Sequence, residues 1–207
     1  MTVKSCEKLE KSRVALTIET SAEEFEAAVN KAYLKMRGKI NVPGFRVGKA
    51  PRKIILKGNH DYWWNTASKM QRFFADNGLD SIEILHNNCL FYNGTALCGT
   101  RGWFYELDNE GTHNGKMLAR EAGRLETSLK AAGDAEKICF LHYPPLYQGY
   151  ECPEILRLLQ RYGVKECYFG HLHGAAQKRA LEGRHYNTEF HLVAADYLDF
   201  TPVKICD

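Results

Sequence analysis

The chain has 207 residues, of which 44% are hydrophobic and 26% charged, a composition typical of a globular protein with one large domain or two small ones. No apolar run reaches the roughly 18 residues that a membrane-spanning helix needs, and the N-terminus lacks the apolar stretch of a signal peptide, which predicts a cytoplasmic location. The seven cysteines match no CxxC-type zinc site and lie mostly in apolar runs, which indicates reduced core residues.

The net charge of +3 conceals a difference between the two ends of the chain. Residues 1–57 contain 13 Lys and Arg against 6 Asp and Glu, whereas residues 58–207 contain 15 against 19. Between residues 37 and 57 there are seven cations and no acid. This break in composition indicates two segments, which we predict to span residues 1–54 and 55–207.

The first segment begins with a predicted strand and helix. Residues 14–18 alternate apolar and polar side chains, which is the period of a half-buried strand. Ser21 and Glu24 form a capping box, and apolar residues between positions 25 and 36 recur at helical spacing. A strand followed by an amphipathic helix predicts a small α+β segment.

Residues 43–51 then form a glycine-punctuated loop in which one aromatic side chain lies among cations. Such a loop suits docking on an anionic surface, with Arg46 and Lys49 meeting phosphates and Phe45 adding an apolar anchor. The alternative is a basic surface loop without a partner.

The residues Gly44-Phe45-Arg46-Val47-Gly48-Lys49-Ala50-Pro51 resemble the G-F-R-x-G-K-x-P signature of trigger factor, the bacterial ribosome-associated chaperone. The preceding strand and helix, from about Cys6, resemble the start of its ribosome-binding domain. The resemblance covers about 50 residues, and the prolyl isomerase and substrate-binding parts of the family have no counterpart. It implies that Phe45, Arg46 and Lys49 contact the ribosome beside the peptide exit.

The second segment alternates predicted strands and helices. Helices are predicted over residues 67–77, 116–132 and 153–162, and strands over residues 54–56, 82–85, 138–141 and 167–169. Asn93-Gly94 predicts one hairpin turn, and Glu182-Gly183 predicts another that returns over residues 190–194. This alternation with added hairpins indicates an α/β layered sandwich.

Three polar segments directly follow predicted strands: Gly58-Asn59-His60-Asp61, then His142, and then Gly170-His171-Leu172-His173. Strands of this kind deliver the residues after them to one edge of a sheet, where α/β proteins build their sites. Imidazole, amide and carboxylate groups suit a borderline divalent ion such as Zn, Fe or Mn. The pattern therefore predicts a metal site.

The spacing of G-N-H-D, a later lone His and G-H-x-H resembles the calcineurin-like metallophosphoesterases, from about Ile55 to the C-terminus. More narrowly, it resembles a bacterial branch of small predicted phosphohydrolases with G-N-H-D-Y-W and L-H-Y-P-P. The resemblance implies a layered β-sandwich flanked by helices. It also implies the following roles: Asn59, His142 and His171 bind one metal, His173 binds a second metal, and His60 is the catalytic acid, oriented by Asp61.

The chain departs from this family pattern upstream of G-N-H-D. The family's D-x-H motif does not occur, and Gly133-Asp134, the one G-D pair of interest, lies too late in the chain and is interpreted as a turn. The carboxylates that would complete and bridge a two-metal site are therefore missing. We expect weak, mononuclear binding of Mn, Fe or Zn, weak or absent hydrolysis, and an unpaired strand edge in a truncated sandwich.

Arg101, in the loop Gly99–Trp103, could contact a substrate phosphate or serve a structural role. No basic stripe accompanies the tryptophans, so no specific DNA binding is expected.

Three functions remain open. The chain could be a metal-dependent phosphoester hydrolase of unknown substrate, a ribosome-associated binding segment, or a chimeric chain with no single evolved function. Such a chimera would have been joined by recombination or by an error in assembling the sequence.

Overall fold

The computed structural model describes residues 2–9, 13–21, 24, 28, 31, 53–61, 66–79, 81–103 and 112–205. The chain divides into two compact units, Met1–Pro51 and Arg52–Asp207, which are described separately below. The division falls three residues before the boundary predicted from the sequence. None of the helices in the described part of the chain is both long and apolar enough to cross a lipid bilayer.

The first unit contains an antiparallel pair of strands, β1 (Thr2–Leu9) and β2 (Arg13–Glu19). The sequence predicted β2 but missed β1, whose apolar residues lack strict alternation and whose pairing is irregular between Val3 and Ser5. The Ser21 hydroxyl accepts a hydrogen bond from the Glu24 amide at 3.1 Å, which confirms the predicted helix cap. The predicted docking loop, residues 43–51 with Phe45, Arg46 and Lys49, lies outside the described residues.

The second unit is mixed α/β and is organised around a six-stranded sheet in the order β11-β12-β10-β7-β6-β5. Its strands are β5 (Cys89–Tyr92), β6 (Thr95–Thr100), β7 (Lys137–Leu141), β10 (Glu166–Phe169), β11 (Gly183–His185) and β12 (Thr188–Leu192). The four central strands are parallel, and each edge strand is antiparallel to its neighbour. The carboxyl ends of four strands therefore meet at one edge, which is where the polar motifs begin.

A second, parallel pair consists of β3 (Lys53–Leu56) and β4 (Ile82–Leu85). Among the described residues β3 pairs with β4 alone, so its other edge carries no strand there. A cavity of about 280 Å3 separates this pair from the large sheet, and its walls are mostly apolar: Ile54, Leu56, Leu85, Leu97, Phe140 and Tyr168. A two-strand ladder, β8 (Leu146–Tyr147) and β9 (Tyr150–Glu151), completes the strands of this unit's described part.

Three helices pack against the strands of this unit: α1 (Ala67–Asp76), α2 (Thr112–Ala131) and α3 (Pro153–Arg161). The apolar face predicted for α2 is confirmed, since Leu118, Leu125 and Leu129 are buried against β5 and β6. A 3-10 helix over Gly174–Arg179 follows β10. Burial of these leucines anchors α2 against the sheet, and this places its polar residues beside the strand ends.

Two sequence predictions about turns have different outcomes. Asn93 and Gly94 have φ angles of 47° and 83°, so they form the predicted two-residue turn between β5 and β6. The last hairpin was placed wrongly at Glu182-Gly183. Its turn consists of Tyr186 and Asn187, with φ angles of 50° and 67°. Asn tolerates this left-handed region of backbone angles. The next residue, Thr188, is held in place because its hydroxyl donates to the buried Val164 carbonyl.

The cysteines of the described residues are all free, and four of them are buried as predicted for core residues, whereas Cys89 is half-buried and Cys6 is exposed. Cys89, Cys98, Cys139 and Cys167 lie in register across the four neighbouring strands β5, β6, β7 and β10. Burial is the main cause that raises the pKa of the Cys98 thiol, so this group stays protonated and behaves as a small apolar side chain.

Candidate functional site

The ends of three parallel strands bring the site together. Leu141 of β7 is in register with Thr100 of β6 and with Phe169 of β10. The residue after each strand continues this alignment. The His142 amide donates to the Arg101 carbonyl at 3.1 Å, and the Gly170 amide donates to the His142 carbonyl at 3.2 Å. Backbone hydrogen bonds therefore fix His142 at the centre of the edge.

The Gly58–Asp61 loop follows β3 and closes on itself. The Asp61 carboxylate accepts a hydrogen bond from the Gly58 amide at 2.7 Å, a side-chain-to-backbone contact that is common in tight turns. A β-carbon at Gly58 would lie 3.0 Å from Cε1 of His142, so only glycine lets the loop approach this ring without displacement. The loop therefore presents Asn59 to the histidine at the end of β7.

Three donor atoms converge at this point. Nε2 of His142 lies 2.6 Å from Oδ1 of Asn59 and 3.2 Å from Nδ1 of His171. Neighbouring ligands that are each about 2.1 Å from one ion are separated by about 3.0 Å at a right angle and about 3.4 Å at a tetrahedral angle. The His142–His171 spacing lies in this range, whereas the shorter His142–Asn59 spacing is that of a hydrogen bond. The structure thus brings together the three residues that the sequence predicted to share a metal.

The electrostatics of the cluster favour neutral imidazoles. Burial, reinforced by the neighbouring His171, lowers the pKa of His142 to about 4. Burial also lowers the pKa of His171, with smaller contributions from His173 and His60. Neutral imidazole nitrogens retain the lone pairs that metal coordination requires. The rings are held from one side by Tyr143, whose centroid is 5.0 Å from that of His142 and 4.6 Å from that of His171.

The Gly170–His173 segment turns sharply. His171 has a φ of 69°, and the Leu172 amide donates to the Gly170 carbonyl at 2.8 Å across it. This is a three-residue turn of the rarer kind with positive φ at its centre, a conformation that is costly for a non-glycine residue. The strained turn directs Nδ1 of His171 toward His142.

His173 lies on the exposed side of the same turn and contacts a residue that the sequence analysis missed. Its Nδ1 is 2.8 Å from Oδ1 of Asp196, and the other carboxylate oxygen accepts from the Gly174 amide at 2.9 Å. The Gly174 amide is the main cause that lowers the pKa of Asp196, followed by His173. Because the carboxylate accepts from Nδ1–H, the lone pair of this imidazole lies on Nε2.

The residues of the cluster fit a single borderline ion with neutral donors. Among the described residues, no three or more His, Cys, Asp or Glu side chains form a group arranged to hold a metal. The cluster therefore depends on the Asn59 amide oxygen as its third donor. Such a donor set is chemically suited to Zn, Fe or Mn, but it brings no negative charge to the ion.

The other predicted site residues lie around this cluster. His60 is exposed, with Nε2 3.4 Å from Nδ2 of Asn59, and the described hydrogen bond of Asp61 is to Gly58. The predicted roles of these two residues therefore stay predictions. The Arg101 guanidinium lies 5.1 Å from the Trp103 ring centroid and 3.4 Å from Glu121, so it already has structural partners.

The sequence did contain a signal for Asp196. This residue lies four positions beyond the end of β12, which is parallel to β10 and adjacent to it. The strand itself was predicted, but its place next to β10 could not be deduced without knowing the sheet order.

Comparison with known proteins relates the start of the chain to a family. Residues 1–68 match the sequence model described as bacterial trigger factor protein. The match extends past the boundary predicted at residue 54 and includes the Gly58–Asp61 loop. The chain is similar to trigger factor of Lachnoclostridium phytofermentans, with 59% identity over 51 residues, which are 25% of this chain and 12% of that protein.

Two further relatives give the same result. Trigger factor of Clostridioides difficile is 58% identical over 48 residues, or 23% of this chain and 11% of the relative. Trigger factor of Acetivibrio thermocellus is 59% identical over 49 residues, which are 24% of this chain and 11% of that relative. The chain thus spans about an eighth or less of the length of these relatives.

One crystal structure is similar over 81% of this chain and 63% of its own length, with 11% identity and a TM-score of 0.46. The sequence matches concern the beginning of the chain, where they agree with the predicted resemblance. Residues 1–68 are therefore similar to the N-terminal domain of bacterial trigger factor.

Proposed function

We propose that the N-terminal segment docks on the ribosome beside the peptide exit. The observation that carries this proposal is the match of residues 1–68 to the trigger factor sequence model. Within the matched residues, the chain contains the G-F-R-x-G-K-x-P signature. Phe45 supplies the apolar anchor, and Arg46 and Lys49 meet phosphates of ribosomal RNA. This function implies a cytoplasmic location.

Sedimentation with 70S particles tests the docking proposal. We expect the wild-type chain to pellet with ribosomes at low salt, and we expect Phe45→Ala, Arg46→Ala and Lys49→Ala together to reduce the pelleted fraction about tenfold or more. The matched control replaces the same residue types on exposed positions of the second unit, as Phe91→Ala, Arg157→Ala and Lys130→Ala. Equal pelleting of both triple variants contradicts the proposal.

A second candidate function is carried by a different observation, the convergence of Asn59, His142 and His171. We propose that residues 55–207 derive from a calcineurin-like metallophosphoesterase. In this proposal the three converging donors hold one divalent ion, and His173, oriented by Asp196, serves a second ion position. A bound divalent ion would supply the positive charge that polarises a phosphoester.

The protein's own groups have separate tasks in this proposed reaction. Exposed His60 donates a proton to the leaving oxygen, and Asp61 keeps the loop closed by accepting from the Gly58 amide. The Arg101 carbonyl accepts the His142 amide, and in this proposal the Arg101 guanidinium contacts the anionic substrate. Because no carboxylate of the described residues bridges the two ion positions, we expect weak binding of one ion and slow turnover.

Release of nitrophenol from bis- and mono-nitrophenyl phosphate tests the second function. We expect manganese-stimulated release that His60→Ala abolishes, whereas His185→Ala, whose ring bonds the Glu182 carbonyl away from the cluster, leaves the rate unchanged. Circular dichroism establishes that both variants are folded. A folded wild-type chain with no release above the blank containing metal alone contradicts the proposal.

We also infer that the two segments have separate origins, by recombination or by an error in assembling the sequence. The division into two units at Pro51 and Arg52 and the alignment of the trigger factor relatives over only 48 to 51 residues support this inference. Genomic read coverage across codons 50–60 is the direct test. Continuous reads through this region exclude an assembly error and leave recombination.

A further inference from the structure

A second cavity of the larger unit, of about 380 Å3, is lined by basic side chains and is called here the basic cavity. It lies between the N-terminus of α1, the end of β4, the end of β6 and the polar face of α2. Its charged and titratable lining consists of Lys57, His86, Arg101, Arg120, Glu121 and Arg124. Among the lining residues that the structure describes, four permanent cations thus surround one acid.

Glu121, the one acid among the described lining residues, already has protein hydrogen-bond partners. Glu121 is fully buried, and its carboxylate accepts from the Thr100 hydroxyl at 2.8 Å, from Arg124 at 2.6 Å and from Arg101 at 3.4 Å. A buried carboxylate with three donors has little capacity to neutralise additional cations. Among the described lining residues, the three arginines alone outnumber this carboxylate, which leaves an excess of positive charge.

Two further features concern hydrogen-bond donors of the residues that line this space. Thr66 caps α1 and, with Ala67, lines the basic cavity, so the amide end of a ten-residue helix faces it. The first turn of this helix contains no acidic residue to satisfy its positive end. In addition, Nε of Arg101 is buried and has no hydrogen-bond partner among the described residues.

The behaviour of His86 supports a positive field in the basic cavity. Burial is the main cause that lowers its pKa, and Arg124, Lys57 and Arg101 lower it further, against the opposing influence of Glu121. An imidazole among cations stays neutral because its protonation would add another positive charge. In its neutral form it can still donate one hydrogen bond to an anion.

We propose that the basic cavity binds the phosphate group of a small phosphorylated molecule. Guanidinium groups with a helix N-terminus match the oxygens of a phosphate, and the volume is within the usual range of small-ligand sites. The binding site itself does not depend on either proposed function. The basic cavity adjoins the histidine cluster, because the Arg101 carbonyl accepts the amides of His142 and Tyr143.

This adjacency gives a substrate class, a step that rests on the proposed phosphoesterase function. A molecule that places one phosphoester at the histidine cluster and a second anionic group in the basic cavity would contact both sites. The expected substrates are therefore phosphoesters that carry a second phosphate, as in small bisphosphorylated or nucleotide-like molecules.

Calorimetric titration of the full chain with pyrophosphate tests the binding site. The buffer contains a chelator, so that metal-dependent binding at the histidine cluster does not contribute. We expect saturable binding that weakens with salt, and we expect Arg120→Gln and Lys57→Gln each to raise the Kd about fivefold to tenfold. The exposed Arg157→Gln on α3 is the matched control and should change the Kd less than twofold.

Arg120 is exposed, so its replacement tests the basic cavity without disturbing the core. Asn59→Ala removes a donor of the histidine cluster and should leave the Kd unchanged, which separates the two sites. Loss of pyrophosphate binding in Asn59→Ala, or equal Kd values in wild type, Arg120→Gln and Lys57→Gln, overturns the proposal. Nitrophenol release, and its loss in His60→Ala, tests the proposed phosphoesterase reaction separately from pyrophosphate binding. Either the phosphoesterase proposal or the basic-cavity proposal can therefore fail without the other.

Discussion

His173 and Asp196 show how one hydrogen bond sets the chemistry of a side chain. The carboxylate accepts from Nδ1 at 2.8 Å, so the lone pair of the ring lies on Nε2. A carboxylate that fixes a histidine in this way also makes the ring a stronger donor to a metal. In the proposed metal site this pair would therefore raise the ion affinity without Asp196 touching the ion.

We predict that Asp196→Asn lowers the Zn²⁺ affinity of the chain about tenfold or more, because an amide orients the imidazole less firmly. Competition with a chromogenic chelator measures the affinity directly. Asp199→Asn, three positions further along the same exposed segment, is the control and should retain the wild-type value. An unchanged affinity in Asp196→Asn would show that this carboxylate does not orient a ligand.

His86 provides a second prediction for a single residue. The pKa of His86 is lower in the folded chain than the ordinary value of 6.5. Below pH 6.5 the unfolded chain therefore binds more protons at this residue than the folded chain does. As a result, His86 lowers the free energy of unfolding as the pH falls below 6.5. NMR titration of the ring should give a midpoint below 6.5, and Arg124→Gln should raise it. A midpoint at or above 6.5 would contradict the positive field of the basic cavity.

Among the elements, α2 connects the core to both sites. Its Ser128 is buried, and the hydroxyl accepts a hydrogen bond from the Gly99 amide of β6 at 2.9 Å and donates one to the Asn88 carbonyl. The same helix contributes Glu121 and Arg124 to the basic cavity. The packing of α2 against β6 therefore determines where the charges of Glu121 and Arg124 lie relative to the strand ends.

Ser128→Ala should lower the free energy of unfolding by about 1–3 kcal/mol, because it leaves the buried Gly99 amide and Asn88 carbonyl without this partner. The neighbouring Thr127→Ala is a matched control, since that hydroxyl is exposed and bonds only the Gly123 carbonyl of its own helix. It should cost about 0.5 kcal/mol or less. Urea denaturation measures both values, and equal costs would contradict the prediction.

The elements also show what the sequence could and could not predict. Leu118, Leu125 and Leu129 recur at helical spacing, and Asn93-Gly94 has a single favourable turn geometry, so local chemistry sufficed for α2 and for the β5–β6 hairpin. The turn at Tyr186 and Asn187 was missed because competing Gly and Asn signals lay within a few residues. Its position depends on the register of β12 beside β10, which is a long-range property.

The candidate site shows the same limit. Asn59, His142 and His171 were predicted together because each follows a recognisable strand, and the structure places their donor atoms within hydrogen-bond distance. The basic cavity was not predicted, although Arg101 was singled out. Its cations come from three places, the residue after β3, the residue after β6 and the helix α2, and nothing local in the sequence indicates that these elements meet.

At the scale of the whole molecule, the division into two units predicts independent stability of the larger one. A fragment of residues 52–207 contains the six-stranded sheet, its helices and both candidate sites. We expect it to unfold in one cooperative transition and to bind pyrophosphate as the full chain does, while losing any association with ribosomes. Absence of a cooperative transition in this fragment would show that its fold requires the first unit.

Gly99 lies where β6 approaches β7, and a β-carbon at this position would be 2.1 Å from the Phe140 carbonyl oxygen. One added methyl group would separate the two strands just before Arg101 and His142, and so would disturb the basic cavity and the histidine cluster together. If the two candidate sites bind the ligands proposed for them, selection for either ligand would preserve the same glycine, and replacing it would impair both sites together.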